Sequence, residues 1–228
     1  LQPSLGFSRF KSVVNDAIKS MSINSLTALD DRGQLSLAAY ETLLTTLFHQ
    51  TRDGPYSFAL AAANCDWRFE RIKEYLLRHA FEEHTHWKWV LDDLASIGYK
   101  GTSPHLLAPH PATAAYLQLN RNVAVSFPPA RLAIAVVLEG FAAHAGRTLV
   151  PRLLVALGLN RSNASFMVSH GVTDVGHSED LEEVLTSSPI SESDWDTWMV
   201  PTALQAGALY RAMLCHEGYG ISKPDLVA

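Results

Sequence analysis

Apolar residues recur at spacings of three and four along nearly the whole chain, and this periodicity points to helices throughout. Leu37, Tyr40, Leu44, Leu47 and Phe48 form one such stripe; Phe69, Ile72 and Leu76 begin another, which Val90 and Leu94 continue. No alternating segment longer than a few residues reads as a strand, and no internal repeat is visible. The spacing predicts helices over 7–22, 35–63, 67–97, 111–124, 128–157, 161–186 and 191–217. Turn chemistry separates them. Asp30-Asp31-Arg32-Gly33 reads as a turn, with Ser36 placed to begin the next helix. Gly98 closes the third helix, and Pro104, Pro109 and Pro111 mark an extended loop after it. Pro128 and Pro129 suit a first helical turn, where a missing N–H costs little. Asn160 and Ser191 suit N-caps. Gly54-Pro55 is expected to kink or split the second helix. The expectation is one all-α domain over residues 1–228, undivided by any linker.

Composition narrows the function. Nearly half of the 228 residues are apolar, enough for a large core, and the net charge of −5 leaves no basic footprint for nucleic acid. The two cysteines, Cys65 and Cys215, form no CxxC pair, which excludes a Cys-rich metal site and suits a reducing cytosol. The most apolar run, Leu132 to Leu138, is too short to span a bilayer, and Leu1-Gln2-Pro3 does not open a signal segment. A cytoplasmic protein without a membrane or nucleic-acid partner is expected.

Three segments carry chemistry. In His79-Ala80-Phe81-Glu82-Glu83-His84-Thr85-His86, a helix turning about 100° per residue places His79, Glu83 and His86 on one arc, with His84 well off it. A carboxylate and an imidazole three residues apart on one helix can share a metal ion, although a lone Glu-x-x-His also arises by chance. His170, Asp174 and His177 repeat the i, i+4, i+7 arc, and such a polar face is costly to bury without a partner. Gly171 and Gly176 weaken that helix and leave room beside the ligands. Glu139 follows seven apolar residues in mid-helix, with no Arg or Lys within one turn, and if buried must be paired, protonated or metal-bound. Its own face runs through Ala135, Ala142, Ala143 and Gly146, small residues that permit close helix packing or a cavity. Together the segments offer three carboxylates and three imidazoles, a hard oxygen and nitrogen set suited to iron or manganese. Zinc hydrolysis needs only three protein ligands and water, so six candidates match a two-metal inventory.

Glu83-x-x-His86, the isolated Glu139 and His170-x3-Asp174-x2-His177, with gaps of about fifty and about thirty residues, resemble the ligand pattern of the heme-oxygenase-like diiron oxidases. The resemblance covers roughly residues 35–215. It implies a seven-helix bundle like that of heme oxygenase and the TenA thiaminases, and two irons, Fe(II)/Fe(III), per chain. Glu83, His86, Glu139, His170, Asp174 and His177 would then be ligands, with Glu139 and Asp174 closest to the chemistry. Many family members carry a further glutamate, in the preceding helix or seven residues before the His of Glu-x-x-His. The second position is His79 here, and the preceding helix offers His49 rather than a glutamate at suitable depth. His49 or His79, or neither, completes the set.

The implied activity is O2-dependent oxidation of a small metabolite at a C–H, C–C or N–H bond. An amino acid or amine is favoured as substrate, a fatty acid is second, and an external electron donor and a homodimer are compatible partners. Arg52 is a candidate for a substrate carboxylate, with pairing to Asp53 as the alternative, and Tyr56 and His79 are further pocket candidates. A heme site on this fold would need a histidine near the N-terminus, and residues 1–48 contain none. A TenA-like hydrolase would need a cysteine nucleophile and has no use for six metal ligands. A non-catalytic metal-binding or interaction protein is the remaining class.

Overall fold

Caps and apolar stripes set the helix starts. Ser36 accepts a hydrogen bond from Ala39 N at 3.1 Å and opens the longest helix. Asn160 and Ser191 each form a capping box, with Asn163 and Asp194. A computed structural model of the chain describes residues 4–24 and 36–215, apart from the side chains at 22–24, 172–176, 178 and 215. The expected turn at Asp30–Gly33 and the last residues of the final expected helix lie outside that description. Among the described residues there is no strand, and nine α-helices have eight residues or more: α1 (Leu5–Asn24), α2 (Leu37–Asn64), α3 (Glu70–Glu83), α4 (Trp87–Ser96), α5 (Pro111–Ser126), α6 (Ala130–Thr148), α7 (Val150–Leu157), α8 (Ser165–Ser187) and α9 (Val200–Cys215). A single helical turn, Glu192–Asp194, and a π-turn, Trp195–Met199, lead into α9.

Nine replaces the seven expected, because two long helices are broken. The predicted 67–97 helix stops at Glu83 and restarts at Trp87, so the break falls inside the Glu-x-x-His segment. The predicted 128–157 helix breaks at Leu149, where Pro151 sits in the first turn of α7 and the axis bends by 47°. Conversely, Gly54-Pro55 does not split α2. Proline removes one donor there, and Ser57 Oγ donates to the Gly54 carbonyl at 2.8 Å within the continuing helix. No single helix among the described residues is long and apolar enough to cross a membrane.

Helix α6 is the axis of the bundle. It touches α1, α2, α5, α7, α8 and α9, packs most extensively on α8, and buries most of its apolar residues and two of its three charges, Arg131 and Glu139. Around it lie two apolar clusters. One includes Phe10, Ile72, Leu76, Leu132 and Met199, the other Tyr40, Leu44, Phe48, Val90 and Phe166, and Leu43 packs against both. A cavity takes its lining from residues of both clusters.

The α6–α8 crossing depends on two glycines. A Cβ on Gly146 would stand 2.4 Å from Gly171 Cα, and one on Gly171 would stand 2.7 Å from Gly146 Cα. Gly171 is therefore a packing surface, and the space it was expected to leave beside the ligands is filled by the α6 backbone. Alanine raises intrinsic helix stability by roughly 1 kcal/mol. Here the opposing atoms are backbone and cannot turn aside, so Gly146→Ala and Gly171→Ala are each expected to destabilise by about 1–3 kcal/mol. Urea unfolding checks this: a midpoint unchanged or raised by either substitution would mean that the two helices part without cost.

Candidate metal centre

Four helices converge on the polar cluster. Helix α3 contributes His79 and Glu83, and Glu83 is its last residue. The chain then turns once, with His86 N donating to Glu83 O at 3.1 Å, before α4 begins. Glu83 and His86 thus straddle a helix break, yet the single retained turn keeps Glu83 Oε2 and His86 Nδ1 2.7 Å apart. The Trp89 ring stacks on His86 with centroids 4.1 Å apart and fixes the imidazole plane. Helix α8 brings His170. Its Nδ1 donates to the Phe166 carbonyl at 2.9 Å, which turns Nε2 toward the cluster. That Nε2 stands 3.2 Å from His86 Nδ1 and 3.5 Å from Glu83 Oε2.

A second group adjoins the first. One donor atom each from His79, Glu83 and His177 lie within 4.8 Å of one another, as do those of Glu83, His86 and His170, so Glu83 belongs to both groups. Glu139, from α6, places Oε1 3.2 Å from His79 Nε2 and Oε2 3.9 Å from His177 Nδ1. The first distance is short but lacks hydrogen-bond alignment, and neither buried Glu139 oxygen has a hydrogen-bond partner among the described residues. Glu82, half-exposed, lies 3.9 Å from His79 and 3.8 Å from His177. A buried carboxylate facing two imidazole rings without accepting a hydrogen bond fits a cation between them, because leaving such a group unpaired costs several kcal/mol.

Electrostatics set the two carboxylates apart. Burial pushes Glu139 up to about 8, with His177 opposing and the Glu83 charge adding to the rise. Burial also acts on Glu83, but hydrogen bonds from His170 and His86 outweigh it and hold Glu83 well below the usual carboxylate range. Burial lowers His79 to about 4, so it is neutral at physiological pH.

Of the expected site residues, the structure brings together Glu83, His86, Glu139, His170 and His177 with His79, one of the two candidates for completing the set. Asp174 lies in α8 on the turn between His170 and His177, and its side chain is outside the described residues. His49 is half-buried against Phe48, belongs to neither donor group and does not line the cavity. Arg52 is exposed beside His105, and Tyr56 is 60% exposed. Because α2 continues through Pro55, its inward stripe is Gln50, Asp53 and Ser57, and residues 52 and 56 fall outside it. Neither Arg52 nor Tyr56 lines the cavity beside the cluster.

Sequence reasoning missed two residues that shape the site. Arg131 is 2% exposed and lines the cavity together with His79, Glu83, Glu139 and His170. Its signal was available: a lone basic residue at the head of an apolar run, two turns before Glu139. Asp93, fully buried on α4, accepts from Ser165 N (2.8 Å), Ser165 Oγ (2.6 Å) and Phe166 N (3.0 Å). It caps α8 and joins it to the helix that follows His86. Nothing local marks Asp93, because its partners are about seventy residues away.

A family model described as an iron-containing redox enzyme matches residues 41–208. No curated protein sequence matches the chain. Among solved structures, a domain of unknown function with a heme oxygenase-like fold from Shewanella denitrificans OS217 is similar, at 22% identity and a TM-score of 0.82. The match covers 91% of this chain and 90% of that one, so the two share the all-helical heme oxygenase-like fold.

Two expectations follow from the geometry. Asp93→Ala should destabilise by about 2–3 kcal/mol, through a lost cap and unsatisfied donors. It should also weaken metal binding at Glu83, His86 and His170, as read by denaturation and metal titration. The second concerns pH. Glu139 is raised in the fold from 4.5 to about 8, so the metal-free protein loses stability as pH rises through that window. His79, lowered from 6.5 to about 4, acts oppositely, with stability gained between those values. Between pH 6.5 and about 8 the Glu139 contribution stands alone. The urea midpoint of the metal-free protein should fall across that interval and be flat in Glu139→Gln; parallel profiles would show that Glu139 is ionised throughout.

Proposed function

The chain belongs to the family of iron-containing redox enzymes, and from that premise we propose that its polar cluster holds two irons and uses O2 to oxidise a small organic molecule in the adjoining cavity. One observation carries the proposal: Glu83 is shared by two separate three-residue donor groups. A carboxylate has two oxygens and can bridge two cations, which an imidazole cannot. One iron would be held by Glu83, His86 and His170, the other by His79, Glu83, Glu139 and His177. Asp174 is proposed as a ligand between His170 and His177. A set of carboxylates and imidazoles without thiolate favours iron or manganese. The donor atoms of each group approach within 4.8 Å of one another, which suits single ions rather than a porphyrin.

Iron bound there supplies electrons and open coordination positions for O2. The protein's own residues do the rest. Trp89 and the Phe166 carbonyl hold His86 and His170 in ligand orientation, so little reorganisation is needed on binding. Glu139, neutral below about pH 8 without metal, would lose its proton when it becomes a ligand, so uptake of the second ion releases acid. The cavity beside the cluster is mostly apolar, through Leu43, Leu47, Phe58, Leu138 and Phe141, and keeps bulk water from the reacting centre. Its volume of about 170 Å³ suits a small metabolite better than a long-chain fatty acid. An external electron donor is a compatible partner.

Anaerobic titration with Fe(II) should reach two irons per chain. His86→Ala should keep close to one, and Glu83→Ala should lose affinity at both positions. The loaded protein should consume O2, and faster with substrate present. Full activity with a single tightly bound zinc would overturn the assignment.

A further inference from the structure

The cavity contains a second unsatisfied charge, two helical turns from Glu139 along α6. Arg131 opens α6, is almost wholly buried and forms no ion pair among the described residues. Its Nε donates to Ser57 Oγ at 2.9 Å, which fixes the guanidinium plane. Its Nη1 is buried without a hydrogen-bond partner. The guanidinium carbon stands 3.6 Å from the Phe58 ring centre, and that ring is 4.5 Å from the His79 ring. Phe58 thus contacts both Arg131 and His79. The cation–π contact offsets part of the desolvation cost but gives the N–H groups no acceptor.

Two more unsatisfied atoms line the same wall. Gln50 Oε1 and Asp53 Oδ2 are buried without partners, on the α2 stripe that also carries Ser57. The other Asp53 oxygen is paired with Arg121. Arg121, Asp53 and Arg131 together carry a net charge of +1, so the group is complemented by a monoanion. Arginine presents a planar pair of N–H groups that matches a carboxylate. The cavity volume of about 170 Å³ is close to that of cavities that hold a six-carbon ring.

We infer that Arg131 receives the carboxylate of a small, apolar-tailed substrate at the end of the cavity away from the metal donors, so that the tail rather than the carboxylate faces His79 and Glu139. The orientation of the tail toward a reactive centre rests on the function proposed above; the carboxylate site does not. The carboxylate could belong to an amino acid, whose ammonium would meet Asp53 Oδ2 and Gln50 Oε1, or to a plain carboxylic acid.

Calorimetric titration of the full chain, metal-free and Fe(II)-loaded without O2, tests this with four probes of one skeleton: 4-methylpentanoate, L-leucine, 3-methylbutylamine and 4-methylpentan-1-ol. The carboxylates should bind at least tenfold more tightly than the alcohol and the amine, with similar affinity with and without metal. Arg131→Met should remove that preference while leaving the alcohol unchanged, and Arg131→Lys should restore part of it. Tighter binding of L-leucine than of 4-methylpentanoate assigns the amino acid, and the reverse order assigns the plain acid; both keep the anchor. Equal binding of carboxylate and alcohol by the unmodified protein overturns the inference, and needs no variant to fold. Carboxylate binding that requires iron and ignores Arg131 also overturns it, because the carboxylate would then be a metal ligand. Arg131-dependent binding by a protein that consumes no O2 would leave the anchor standing and remove the oxidase.

Discussion

A carboxylate can be buried among apolar side chains only if something stabilises its charge or its proton. Glu139 is buried at the centre of α6, accepts no hydrogen bond among the described residues, and faces His79 and His177. Much of the surrounding architecture follows from that one group. The helix that carries it must be enclosed on every side, so its residues are apolar and five long helices besides α2 pack around it. The imidazoles must reach it from α3 and α8, and α8 comes close enough because Gly146 and Gly171 let two backbones touch. The cost of burying the carboxylate falls on the metal-free protein, and a bound cation relieves it.

The two donor groups are held differently. Around Glu83, His86 and His170 the partners are already in hydrogen-bond contact, and the rings are fixed from behind by Trp89 and by the Phe166 carbonyl. Around His79 and Glu139 the rings are packed by Phe58 and Tyr75, while His79 Nδ1 and both Glu139 oxygens have no hydrogen-bond partner among the described residues. The first group is thus preorganised by hydrogen bonds and the second by packing. Glu83, kept ionised by the first group, supplies negative charge to the second.

The legible part of this structure was whatever local periodicity encodes. The helical class, the caps at Ser36, Asn160 and Ser191, and the convergence of Glu83, His86, Glu139, His170 and His177 all follow from spacing and from the oddity of lone charges among apolar residues. What failed needed tertiary information. A break at residues 84–86 has no proline or glycine to announce it. A proline in α2 looked like a kink or a break but leaves the helix continuous. Gly171 looked like space beside ligands, whereas its role is set by Gly146 on another helix. Asp93 takes its meaning wholly from residues 165 and 166.

The two buried charges of α6 divide the cavity. Arg131 and Glu139 are eight residues apart, so about 12 Å separates their backbones along the axis. Phe58, from α2, touches both Arg131 and His79. Had the charges been adjacent, they would have formed an ion pair, and neither would have been available to anything else. Two helical turns keep them unpaired, each with an unsatisfied polar atom at one cavity. A helix interior gains nothing in stability from such separation, since an apolar pair at those positions would pack at lower cost. The separation is useful only if different visitors complete the two ends: a cation at Glu139 and an anion at Arg131. An apolar span then sets the distance between the recognised end of a molecule and its reacting end.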